Sequence, residues 1–498
     1  MITRTIALKW LPALVLAAML AVPAHAAVVW NDGDAVNDNW SDGDNWVGGS
    51  APGAGGSATF DGTGPSPATV DTAQSVDHLT FSNGPFTIDG ASTLTVGGNW
   101  AVLDASTYTV SAPITDNGSS TTYNVATGGT LDIQNLAGKD GGVDGYTKTG
   151  GGKLILDDNL GGAQHTVTVN AGTLELNPSG TTALNSLTVG KESTVDSATA
   201  DLQAALPVAL TVRNTGTVNF GSFNQQFGSD LTMSGGTINI ASGQKLDMNG
   251  MNVTWTYEAT TDGGQATIAG PGTIDVTGLG HRRYAVADNA SVDQDWVITA
   301  ALTGNDDNVN VEKTGAGTLV FAGNNTYSGI PTDVLAGTLL VNGTTSGQGT
   351  YTVADGATLG GTGTIDAPVV ANAGGILAPG ASVGTLNVTN NDVSLIDAIF
   401  AIELDAAQAD LLSVDAGALD LTGADVNVTE LTAPTMSEYL IATATGGVTL
   451  GSTTVTGDGA WTLELRTNDT ELYLVPEPGT IALLSLGGLG VLLRRRRG

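Results

Sequence analysis

The feature that most restricts this chain is a segment that occurs twice with the same internal spacing. Lys148-Thr149-Gly150-Gly151-Gly152-Lys153-Leu154 returns as Lys313-Thr314-Gly315-Ala316-Gly317-Thr318-Leu319, and Ala171-Gly172-Thr173-Leu174 returns as Ala336-Gly337-Thr338-Leu339. In both copies the Ala follows the first Lys by 23 residues. A period of that size is one turn of a strand solenoid, whose units bury their apolar sides only by stacking on one another. The intervening chain agrees. Ser92-Thr93-Leu94-Thr95-Val96, Thr130-Leu131-Asp132-Ile133 and Thr237-Ile238-Asn239-Ile240 alternate polar and apolar residues, with Gly, Asn and Asp between such runs. Alternation with period two and β-branched residues predicts strands of about four to six residues. The expectation is an all-β β-solenoid of about 22 residues per turn over residues 65–397, with strands stacked about 4.8 Å apart. The best helix candidate is 198–205, stopped by Pro207.

Composition fits this class. Gly occurs 70 times among 498 residues, and Cys is absent. Stability must therefore come from packing and hydrogen bonds, although disulfides would be permitted in an oxidising compartment. The net charge is −33, with far more Asp than Glu, and Asp favours turns. Such a surface repels nucleic acid and anionic membranes. A polysaccharide partner would have to be neutral, basic or bridged by metal. No cofactor is expected, calcium aside.

The two ends point to export. Arg4 and Lys9 precede an apolar run at 10–22, and Ala24-His25-Ala26 fits a small-residue cleavage site, so the mature chain is expected to begin at Ala27. At the other end come Pro476-Glu477-Pro478, an uncharged apolar stretch at 480–493, and Arg494-Arg495-Arg496-Arg497. Two prolines in three residues break a helix. The apolar stretch is short for a transmembrane helix, and the arginines would snorkel and stay on the cytoplasmic side, placing the rest of the chain outside the inner membrane. Residues 27–64 carry Trp30, Trp40 and Trp46 among several aspartates. They are expected to form an N-terminal cap, with a calcium or sugar site as the alternative. Residues 398–475 hold longer apolar strands and are expected to close the array as a C-terminal β cap.

Two resemblances follow from these residues. The tail at 476–498 resembles the PEP-CTERM sorting signal of Gram-negative bacteria. That resemblance implies recognition and cleavage by an exosortase after transport by the Sec translocon, and association with exopolysaccharide and biofilm. The copies at 148–176 and 313–341 resemble the autotransporter-associated β-strand repeat. The second has all its parts, including Asn325-Thr326-Tyr327-Ser328-Gly329, whereas the first has Gly161-Gly162-Ala163-Gln164-His165 in place of that turn. This resemblance implies a right-handed parallel β-helix of the kind found in autotransporter passengers. An exported structural or adhesive surface protein is the function expected.

A carbohydrate-active enzyme, a lyase or glycosidase on the same fold, is the alternative. His281-Arg282-Arg283-Tyr284 with Asp288, Asp293 and Asp295 is the one basic cluster beside carboxylates, the groups such chemistry needs. Gly380-Ala381-Ser382-Val383-Gly384 has hydrolase-elbow spacing, but a strand follows it where an elbow needs a helix. Gly360-Gly361-Thr362-Gly363-Thr364 is followed by Ile365, so it fails the calcium nonapeptide. No catalytic residue and no metal ligand is assigned.

Overall fold

The computed structural model describes residues 27–477, apart from 34–35, 138–143, 158–164, 178–183, 191–197, 203–208, 222–223, 229–230, 249, 262, 306–307 and 348. The expected leader at 1–26, with Ala24 and Ala26, lies outside the described residues, as do Pro478, the apolar stretch and the four arginines.

Alternating side chains make each short strand two-faced, and the apolar face of one turn is covered only by the next. The result is a parallel β-solenoid. One ladder climbs through Leu79, Trp100, Tyr123, Lys148, Val169 and Val189, each opposite the next. A second runs from Tyr108 through Leu131, Leu154 and Leu174, and continues by Val218, Ile238, Ile268 and Ile298 to Phe321 and Val341. These inward columns form one continuous apolar core. A third side carries shorter ladders, such as Gln74–Val76, Leu94–Val96, Ile114–Asp116 and Leu136–Ala137. The register step varies with the corner loops. Val353 faces Ala371, 18 residues on, whereas Tyr257 faces Val286, 29 on.

The helix expected at 198–205 does not form. Ala198–Leu202 is a strand, paired with Gly172–Leu176 on one side and with residues 216–220 on the other, while 203–205 lie outside the described residues. So short a stretch cannot repay helix nucleation, and two ready-made ladder edges satisfy its backbone groups instead.

At the N-terminal end, Trp30, Trp40 and Trp46 are buried over Phe60. Trp46 meets Trp30 and Trp40 edge-on at 5.1 and 4.9 Å, and its indole N–H donates to the Trp40 carbonyl at 2.8 Å. Toward the other end the parallel ladder crosses residue 398 without a break, Ile376 pairing with Ile399 and Ile399 with Asp425. Among the described strands the ladder direction changes at the last hairpin. Glu471–Pro476 runs antiparallel to Tyr439–Ala444 and to Trp461–Arg466, which forms the outer edge.

Candidate functional site

The repeat shows what its residues are for. Lys148 and Lys313 occupy inward positions of the first ladder, where neighbouring turns carry Tyr123, Val169, Tyr284 and Val334. Each is only 1% exposed. The Lys313 ammonium donates to the carbonyls of Thr314, Gly315 and Ala336 at 3.1, 2.8 and 2.9 Å. Lys148 does the same to Thr149, Gly150 and Ala171 at 2.8, 2.7 and 3.1 Å. Two acceptors belong to the lysine's own corner and the third to the next turn. The 23-residue step in the sequence is this bond. An ammonium has three N–H groups and no acceptor, so three converging carbonyls match it fully. Burial pushes both groups down to about 8. Gly337, with φ +64°, completes the corner, because a Cβ there would strike the carbonyls of Gly315 and Gly317 below. The turn at 325–329 is locked too. Asn325 Oδ1 accepts the Leu302 N–H at 2.9 Å, and the Tyr327 hydroxyl lies 2.8 Å from Thr332 Oγ1 and 2.6 Å from the Tyr351 hydroxyl.

The basic cluster is taken up by structural contacts. Arg282 is fully buried and caps the carbonyls of Gly250, Thr277, Leu279 and His281. Arg283 pairs with Glu312 at 2.6 Å. Tyr284 is buried against Trp255, Trp296 and Phe321. Asp295 accepts the backbone N–H groups of Asn289 and Thr318 at 2.8 and 2.7 Å, and burial raises its pKa. Ser382 sits exposed in a turn between Ile376–Pro379 and Thr385–Thr389. That turn is pinned by Asp410, whose carboxylate accepts the N–H groups of Gly384 and Glu403 at 2.9 and 2.7 Å and is raised by burial to about 7. Nothing in the sequence around Asp410 marks it for this role. Among the aspartates near the tryptophans, Asp42 caps a 3-10 turn by accepting the Asp44 N–H.

Two surfaces remain. On the third side, outward residues form a column of Asn324, Thr344, Thr364, Asn387, Ser413 and Thr443. Its upper part, with Thr389, Asp415 and Thr445, lines a groove of about 500 Å³. The other surface is the C-terminal end. Pro476 pairs opposite Trp461, and the Glu477 N–H donates to the Ala460 carbonyl at 2.9 Å. Ala27 is exposed, directly before the first strand, Val28–Val29.

Residues 474–497 match the PEP-CTERM protein-sorting motif, and residues 147–176 and 311–341 match the passenger-associated-transport-repeat family. The chain carries both a PEP-CTERM sorting motif and passenger-associated transport repeats. It is also 45% identical over 71 residues to a protein described as the adhesin BmaC autotransporter of Brucella suis biovar 1 (strain 1330). That match covers 14% of this chain and 2% of the relative, so the chain spans a small fraction of the length of the curated protein it matches. Solenoid, passenger repeats and sorting motif together describe an exported surface protein. The passenger-repeat matches contain both lysine clamps, and the PEP-CTERM match begins inside the last strand, Glu471–Pro476.

Proposed function

We propose that this protein is a display rod of the bacterial cell surface or extracellular matrix, released from a membrane anchor by an exosortase and associated with exopolysaccharide. The observation that carries the reading is a passenger-type solenoid whose last strand leads directly into a sorting motif. In this reading Ala24, Ala26 and Ala27 mark leader removal, Pro476-Glu477-Pro478 the sorting motif and Arg494–497 the cytoplasmic stop. Residues 27–64 cap the N-terminal end, and 398–475 close the other. The rod acts by presenting repeated shallow contacts rather than by catalysis, since weak contacts multiply along a rigid array. The hydroxyl and amide column at 324–443 suits a neutral, hydroxyl-rich chain laid along the stack, where each turn offers another donor and acceptor.

The test is the intact mass of the protein from the native host's medium and membranes, with and without its exosortase. A secreted form ending within 476–478 that disappears on deletion supports the proposal. A full-length form confined to membranes refutes the matrix role. Binding of the purified rod to the host's own exopolysaccharide, against a charged control polymer, tests the ligand class.

A further inference from the structure

We infer that the sorting motif is a guarded substrate: its first residues are built into the last sheet, and processing waits for the end of that sheet to open. This rests on the exosortase reading above. The motif does not hang on a linker. Val475 lies opposite Thr462, whose Oγ1 donates to the Val475 carbonyl at 3.2 Å. Pro476 is half-buried opposite Trp461, and the Glu477 N–H is taken by Ala460 at 2.9 Å. The guard is itself braced. Trp461 is 8% exposed, its ring meets Tyr439 edge-on at 5.7 Å, and its indole N–H donates to Glu430 at 3.1 Å. Beneath, Arg466 pairs with Glu438 and Glu464 and covers the Tyr473 ring at 4.4 Å.

Enzymes that cut or transfer peptides commonly grip the substrate as an added strand, through its free backbone N–H and C=O groups. Before the motif those groups already belong to the hairpin. After it there is little chain to use, because only Pro478 and Gly479 separate Glu477 from the apolar stretch that begins at 480. Three extended steps reach about 10 Å. A peptidase must therefore gain its length of free strand by unzipping Glu471–Pro476 from its Pro476 end. Folding and processing then compete, and a chain that has closed its last hairpin stays anchored for longer. The pocket beside the motif, lined by Ala433, Pro434, Met436 and Trp461, exposes Met436 next to the strand that must peel away.

The experiment is a pulse-chase of tail loss from the full-length protein in its host, read by mass. One variant carries Gly-Ser-Gly-Ser inserted between Val475 and Pro476, which parts Pro476 from Trp461 while leaving Thr462 and Val475 paired. A second, Trp461→Ala, loosens the hairpin itself. Both are expected to shed the tail several-fold faster than the natural chain, as follows from losing the Glu477–Ala460 hydrogen bond that closes the hairpin end. Protease resistance of the 461–475 hairpin in the insertion variant verifies that the fold is kept. Tail loss at the natural rate or slower in the insertion variant overturns the guard. A natural chain that keeps its tail with the exosortase present overturns the sorting reading instead, and the guard with it.

Discussion

Replacing Lys313 by Met keeps an unbranched stem in the core and removes only the ammonium. Three carbonyls, those of Thr314, Gly315 and Ala336, then lose their shared donor. Hydrogen bonds to a charged donor contribute about 1.5–3 kcal/mol each. Against them stands the desolvation of the ammonium. A fall from 10.5 to about 8 corresponds to about 3 kcal/mol, at 1.36 kcal/mol per pH unit. Burial thus opposes the ammonium, and the cost of the Met variant lies in three carbonyls left buried without a donor, about 1–3 kcal/mol in all. In a solenoid that loss is local, because each turn contacts only its neighbours. The assay is native-state hydrogen exchange. Amides at 315–319 and 336–341 should lose about one to two orders of magnitude of protection, while those near 131–133 keep theirs. Lys148→Met should reproduce the effect around 150–154 and 171–174. Unchanged protection at both corners would falsify the clamp and reduce the repeated lysine to a buried stem.

Four further outcomes follow. Asp410 is raised by burial from 3.8 to about 7, so the folded state holds its proton more tightly than the unfolded one. That contribution to stability is present below about pH 4 and is lost as pH rises through 7, so the urea midpoint should fall between about pH 4 and 7, and Asp410→Asn should flatten the slope. Trp46→Ala removes the ring that touches both Trp30 and Trp40 and should cost about 3–5 kcal/mol, read as proteolysis advancing from the N-terminal end. Gly337→Ala forces a Cβ against the carbonyls of Gly315 and Gly317 at a positive φ, and should lower the unfolding free energy by more than about 1 kcal/mol, whereas Arg283→Ala at the partly exposed Glu312 pair should change it by about 1 kcal/mol or less, both read from urea unfolding.

Much of the fold was legible because its rules are local. The alternation in Thr130–Ile133 states which side is buried, and the 23-residue echo states the turn length to within two residues, the ladder step at both lysines being 21. The helix expected at 198–205 failed because single-segment propensity is blind to the ladders waiting on either side. The clamp left a sign, a Lys at an inward position of a strand, but only the ladder shows which positions face inward. Arg282 and its neighbours looked like chemistry because charges on an acidic chain stand out. Arg282 caps carbonyls of its own corner and that of Gly250 one turn away, and Arg283 meets Glu312 of the next turn, contacts that no local pattern announces. Asp410 bridges Gly384 and Glu403 across a bend in the chain and was invisible for the same reason. The placement of Pro476 within a strand could not be read from a motif defined by its prolines, whose composition suggests a break.

The spacing of the ladders has a kinetic side. Partners in the stacked strands lie 18 to 30 residues apart in a chain of 498. The mean separation of contacts is therefore roughly 0.05 of the chain length, below the values usual for β proteins and near those of helical bundles. Each turn needs only the one before it as a template. A polypeptide leaving a secretion channel N-terminus first can close its turns in the order they emerge, starting on the tryptophan cluster. Growth at one end lets each finished turn keep the slack chain from sliding back.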